Sequence, residues 1–310
     1  EKKDKQLFLL KNEVVIDQNL YIPRDLKVII KPNQKILLSN QAFIISNSPW
    51  IIGGNDGEVI ISGEKNNLGG GILISDTKEL SIIQNTKISY LAGGEKKLNS
   101  EFLILGSINF HQTNVEINNV SFENIYSEDA INIFRTSFKI NNNNYKNIFS
   151  DAIDIDFSNG EINNANFDNI ENDAIDFSGS KGKISNSFFN NVNDKLISVG
   201  EKSKINISKI KALNSHAGIV SKDGSKVYTT DVNFDGVLIP FAAYQKKKEY
   251  DYGSLIIKNF KIDNFSVKWI KDKKSKISAD EISLNINTKD ILSIIDEKNF
   301  SLIKEGQNAT

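Results

Sequence analysis

The sequence predicts an all-β chain wound as a right-handed parallel β-helix (solenoid) with about 22 residues per coil. Two columns of apolar residues, and the kind of residue between them, carry that prediction. Ile117, Ile140, Ile162, Ile184, Ile207 and Thr229 follow one another at 23, 22, 22, 23 and 22 residues. Ile131, Ile153, Ile175, Ile197, Ile219 and Phe241 follow at 22 every time. A fixed period of this size marks coils that cannot bury their own apolar face and must stack. Inside each coil the apolar residues alternate in short bursts, as in "VEINNVSF", "FKINNNNY" and "GEINNANF". Alternation at period 2 means strands with one face buried, and the Asn, Asp, Gly and Ser between bursts are turn residues.

One domain is expected over residues 1–310. Residues 1–106 read as irregular opening coils, from "LYIPRDLKVIIKPNQKILL" to "SPWIIGG". Residues 107–254 read as the regular coils, each with three short strands and three turns. Residues 255–310 read as final coils or a cap. "GGEKKLNSE" (93–101) and "AYQKKKEYDYGS" (243–254) read as loops leaving the stack. Nothing reads as a long amphipathic helix.

Composition narrows the function. Lys plus Arg number 38 and Asp plus Glu 39. A chain so nearly neutral lacks the basic surface a nucleic-acid binder needs. With no Cys there is no disulfide, thiolate nucleophile or Cys-based metal site. No apolar run approaches the ~20 residues needed to span a bilayer as a helix. The absence of Met and the charged start "EKKDKQ" lead us to expect a removed leader or a trimmed chain.

The third strand of each coil holds the chemistry. Its first residue points into the core. Its second points out, giving the column Asn132, Asp154, Asp176, Ser198, Val220 and Ala242. Its fourth gives Phe134, Asp156, Ser178, Gly200, Lys222 and Tyr244, and the following turns add Arg135, Glu201, Lys202, Asp223 and Lys246. Asp129, Asp151, Asp173 and Asp194 lie just before this strand, where a carboxylate caps a turn by accepting backbone N–H bonds. Asp154 and Asp176 would stack about one strand spacing apart, and like charges there repel. Ca²⁺ held by Asp154, Asp156 and Asp176 would offset them, as would a solvated ladder relieved by Arg135, Lys202 or Lys222. His111 and His216 fall in separate repeats and read as turn residues.

The run 107–253 resembles a set of secreted β-helix proteins associated with CotH-type (spore-coat-like) kinase modules. The words that match are "SEDAINI", "SDAIDIDFSNG", "NDAIDFSGS", "NDKLISVGEKS", "GIVSKDGS" and "AAYQKKKEY". Leu196 departs from the small residue that family tends to place there. The resemblance implies the fold and an extracytoplasmic location, and no particular reaction.

Two functions follow. In the first, the third-strand face binds or acts on acidic polysaccharide, as a lyase or epimerase would. Such chemistry needs charge neutralisation, a base and an acid. Arg135 or Ca²⁺ would supply the first, Lys222 the second and Tyr244 the third, with Glu201 beside them. Asp156, Lys202, Asp223 and Lys246 would bind substrate. In the second, the solenoid is a rigid surface or matrix scaffold for a partner chain. Trp50 and Trp269 lie outside the repeat face, and an absent aromatic platform favours the scaffold.

Overall fold

A computed structural model describes residues 2–3, 5–93, 97–98 and 102–298. The loop expected at 93–101 and the final residues 299–310 fall almost wholly outside them. The chain is a parallel β-solenoid. It divides into two compact units, residues 1–154 with 158–161 and residues 155–157 with 162–310. The division falls inside the strand Asp151–Asp156, without a linker.

In the first unit the opening coils are irregular, as expected. Ile52 pairs in parallel with Ile83, 31 residues on, and Ile83 with Ile117, 34 residues on. The rhythm then tightens. Ile108 pairs with Ile131 and Ile117 with Ile140, each at 23 residues. Ile131, Ile140 and Ile153 are fully buried. Asn makes the turns affordable to the backbone: Asn119, Asn124, Asn142 and Asn147 all adopt the left-handed conformation that Asn tolerates best among residues with a side chain. Their amides also ladder, with Asn147 Nδ2 donating to Asn124 Oδ1 at 3.1 Å and Asn141 Nδ2 to Asn118 Oδ1 at 3.0 Å.

The second unit is more regular. Ile175 pairs with Ile197, Ile197 with Ile219, Ile219 with Phe241, and Phe241 with Trp269. Trp269 is therefore the next member of the core column, stacked on Phe241 at 5.1 Å between ring centres. The strands Lys204–Lys222 and Lys226–Tyr244 pair along their whole length. The expected loop after Tyr244 is present, and the next strand begins at Ser254. After the strand Lys276–Ala279 the chain turns into an antiparallel bridge with Ile282–Ser283 and then a short helix, Ile291–Ile295. That helix was not expected. It buries Ile291, Ile294 and Ile295 against Val220, Ala242, Ile270 and Tyr244.

Candidate functional site

The register places the outer column where the sequence predicts it. In the second unit Asp176 pairs with Ser198, Ser198 with Val220, Val220 with Ala242, and Ala242 with Ile270. Exposure differs from the expectation. Ser198, Val220 and Ala242 are fully buried, because the C-terminal helix lies over this end of the face.

Beside the covered stretch sits a charged group. Lys222 Nζ stands 4.0 Å from Asp176 Oδ1, and Lys247 forms a close ion pair with Glu201. The Lys222 stem runs over Gly200, where a Cβ would stand 3.1 Å from its Cε, so a side chain at 200 would press on the lysine. Asp156 belongs to the same group. Burial, then the charges of Asp176 and Glu201, push its carboxyl up to about 6, with Lys247 opposing. Its acid and base forms therefore interconvert close to neutral pH, as a proton-transfer group requires. Phe157, the next residue, is 52% exposed. Gly179 adopts φ +63, and a Cβ there would come within 2.6 Å of the Phe157 ring, so glycine leaves the room that the ring occupies. The turn continues through Glu201 and Lys202, both left-handed, and Lys202 Nζ lies 5.6 Å from the Tyr250 ring centre.

A second charged group lies under and beside the helix. Lys195 Nζ is 2.5 Å from Asp194, 3.6 Å from Asp173 and 3.6 Å from Asp296. Its side chain is only 4% exposed, so the three carboxylates are what hold a cation there. Asp173 Oδ1 also accepts the Lys195 N–H at 3.0 Å, the backbone capping expected of it. Burial pushes Asp173 up to about 7 against the pull of Lys195. His216 is buried, which lowers its pKa, and its Nε2 pairs with the Ile295 carbonyl at 2.9 Å.

The predicted residues thus separate. Asp156, Asp176, Glu201 and Lys222 come together. Tyr244 is in register with Lys222 but 1% exposed, and burial raises its hydroxyl pKa. Asp223 is fully buried and holds the loop, with its Oδ1 accepting the Lys246 and Lys247 N–H groups at 2.7 Å each. Lys246 Nζ reaches Asp296 at 3.1 Å. Arg135 and Asp154 belong to the first unit. The Arg135 guanidinium lies over the Phe134 ring at 4.9 Å, and Asp154 accepts a 3.0 Å hydrogen bond from Asn132 Nδ2. Among the described residues, no three carboxylate or imidazole side chains gather in a way that would hold a metal ion. The acid-rich face is met by lysines instead. Sequence reasoning missed Lys195, Asp296 and Phe157. Lys195 was within reach, since it stands 22 residues after Asp173, on the same rung position.

No family model matches the chain, and no curated protein matches it in sequence. Solved structures do match in shape. The catalytic domain of a GH87 alpha-1,3-glucanase in complex with nigerose superposes with a TM-score of 0.56 at 11% identity, over 88% of this chain and 63% of that one. The periplasmic alginate epimerase AlgG superposes with a TM-score of 0.54 at 12% identity, over 86% of this chain and 78% of that one. The chain therefore spans less than two thirds of the glucanase catalytic domain. At these identities the likeness establishes the solenoid fold. The association with CotH-type modules has no counterpart among these matches. Among the described residues no helix is long and apolar enough to cross a membrane.

Proposed function

We propose that the second unit binds an acidic polysaccharide along its third-strand face and acts on it at Asp156. The observation that carries this reading is the group Asp156, Asp176, Glu201, Lys222 and Lys247 beside the exposed Phe157 ring. A sugar ring needs an apolar platform for its C–H face and polar groups for its hydroxyls. Phe157 offers the first, and the charged group offers the second. Lys222 and Lys202 would meet the carboxylates of the polymer, and Asp156 would exchange the proton. Glu201 keeps Lys247 in place. Tyr244 acts only if its cover moves. Arg135 is given no role. The fold shared with an alginate epimerase and a glucanase supports a polysaccharide, and the periplasmic setting of the former supports work outside the cytoplasm. The test is calorimetric titration with hexameric uronate and neutral glucan oligosaccharides, followed by product analysis. Uronate binding that weakens in Lys222→Ala and in added salt supports the reading. Equal affinity for both oligosaccharides removes the acidic class, and no binding removes the carbohydrate.

A scaffold for a partner chain is the second reading. It is favoured by the helix that already covers Val220 and Ala242. A protein that binds none of the oligosaccharides and has no effect on them fits the scaffold.

A further inference from the structure

The C-terminal helix covers a floor whose chemistry it does not match. It presents Ile291, Ile294 and Ile295, none of which carries a side-chain hydrogen-bonding group. The floor is part apolar, with Val220, Ala242 and Ile270 on successive rungs of the outer column. It is also part polar. Tyr244, 1% exposed, packs in the same cluster as the helix, and its hydroxyl has no protein hydrogen-bond partner. Ser198, one rung from Val220 and fully buried, has an Oγ with no protein partner. Asp194 Oδ1 is a third such atom. Buried polar atoms are nearly always paired in native proteins, and each one left unpaired costs stability. Three together, under a purely apolar cover, mark a surface suited to something richer in hydroxyls.

The cover itself is lightly held. A helix of five residues has no stability of its own. It begins at Asp290, in a left-handed conformation with no side-chain cap. It is fastened at its far end, where Asp296 reaches Lys195 at 3.6 Å and Lys246 at 3.1 Å, and the Ile295 carbonyl meets His216. The Lys246 side chain is 40% exposed, so water reaches that half of the latch.

We infer that the floor beneath the helix is a further subsite for a sugar residue, which the helix Ile291–Ile295 occupies in this structure. This rests on the carbohydrate reading and extends it from the Asp156 group along the outer column. The apolar face of a pyranose ring would lie on Val220, Ala242 and Ile270. Its hydroxyls would pair with Ser198 Oγ, Tyr244 OH and Asp194 Oδ1. Polymer and helix then compete for one surface, and the observed affinity is reduced by the fraction of molecules in which the helix is docked.

The test uses the full chain and the same uronate hexamer. Asp296→Ala and Ile294→Asn loosen the helix and leave the Asp156 group intact. Tryptic cleavage after Lys289 or Lys298 reports release. The expected result is an affinity about tenfold higher in both variants, with the gain lost when Ser198→Val is added. In the parent, saturating hexamer should speed hydrogen exchange at the amides of 291–296, a readout that survives if a variant fails to fold. Release by the tryptic readout with affinity unchanged overturns the subsite. If the parent still binds and Lys222→Ala still weakens it, the carbohydrate reading stands and only the subsite falls. Slower exchange at 291–296 on adding hexamer also overturns it. Failure of parent and loosened variants alike to bind any oligosaccharide overturns both.

Discussion

The outer column is built twice, and the two versions differ in one respect. In the first unit Leu73 is in register with Asn109, and Asn109 with Asn132. Their amides are saturated. Asn109 accepts the Gly106 N–H at 2.9 Å and donates to the Ile72 and Gly106 carbonyls. Asn132 Oδ1 pairs with His111 Nε2 at 3.0 Å, and its Nδ2 donates to Asp129 and Asp154. In the second unit the same rung position carries Asp176, Ser198, Val220 and Ala242. There the carboxylate meets a lysine only at 4.0 Å, and Asp176 Oδ1 and Ser198 Oγ have no hydrogen-bond partner in the protein. A saturated amide ladder holds coils together. An unsaturated, charged one is what a ligand can complete. The comparison locates function by hydrogen bonding left over, within a single fold.

The largest test of the comparison is Lys195→Ala. It strands Asp173 and Asp194 without their cation and should cost about 3–5 kcal/mol in urea unfolding. A loss below about 1 kcal/mol would mean that the second unit does not depend on this ion group. Core cavities should not tell the units apart: Ile175→Ala and Ile131→Ala should each cost roughly 2–5 kcal/mol, because stacked coils cannot collapse onto the void. If either variant melts like the parent, that isoleucine is not a core residue. Asn132→Ala should cost about 1–3 kcal/mol and leave oligosaccharide binding untouched. Weakened binding in Asn132→Ala would give the first unit's column a ligand role as well.

Asp156→Asn sharpens the difference from the other side. The folded-state pKa of about 6 lies above the ordinary 3.8, so the folded protein holds this proton more tightly than the unfolded chain. Ionising Asp156 therefore penalises the fold as pH rises from about 4 to 6, and the penalty is full above that window. The Asn variant should melt a few degrees higher at pH 7, with the gain gone below about pH 4. No gain at pH 7 would mean that Asp156 is not held in a strained, partly desolvated group. The smallest expected effect is that of calcium. With lysines meeting the carboxylates, Ca²⁺ and chelator should leave the melting temperature unchanged. A rise with Ca²⁺ that disappears in Asp154→Asn with Asp176→Asn would restore the metal.

The core was legible because its signal is a period. Ile131, Ile153, Ile175, Ile197 and Ile219 need only counting, and Phe241 and Trp269 continue the column. The direction of the outer residues was legible for the same reason. What covers them was not. "DILSIID" is a short apolar run, and such runs do not distinguish a helix from a strand by pattern alone. Its docking on Val220 and Ala242 joins residues more than 45 positions apart, which no local rule reaches. Tyr244 shows the cost: its rung was right and its exposure was not. Phe157 was passed over because attention went to Trp, and its platform depends on Gly179, one coil on.

The most direct measurement is the affinity of the uronate hexamer for the full chain, alongside Asp156→Asn, Lys222→Ala and Asn132→Ala. The account predicts binding by the parent, weakening of about tenfold or more in Lys222→Ala, loss of turnover in Asp156→Asn, and parent-like behaviour in Asn132→Ala. Binding that is indifferent to Lys222 and lost with Asn132 would contradict it, because the ligand would then read the saturated column and not the unsaturated one.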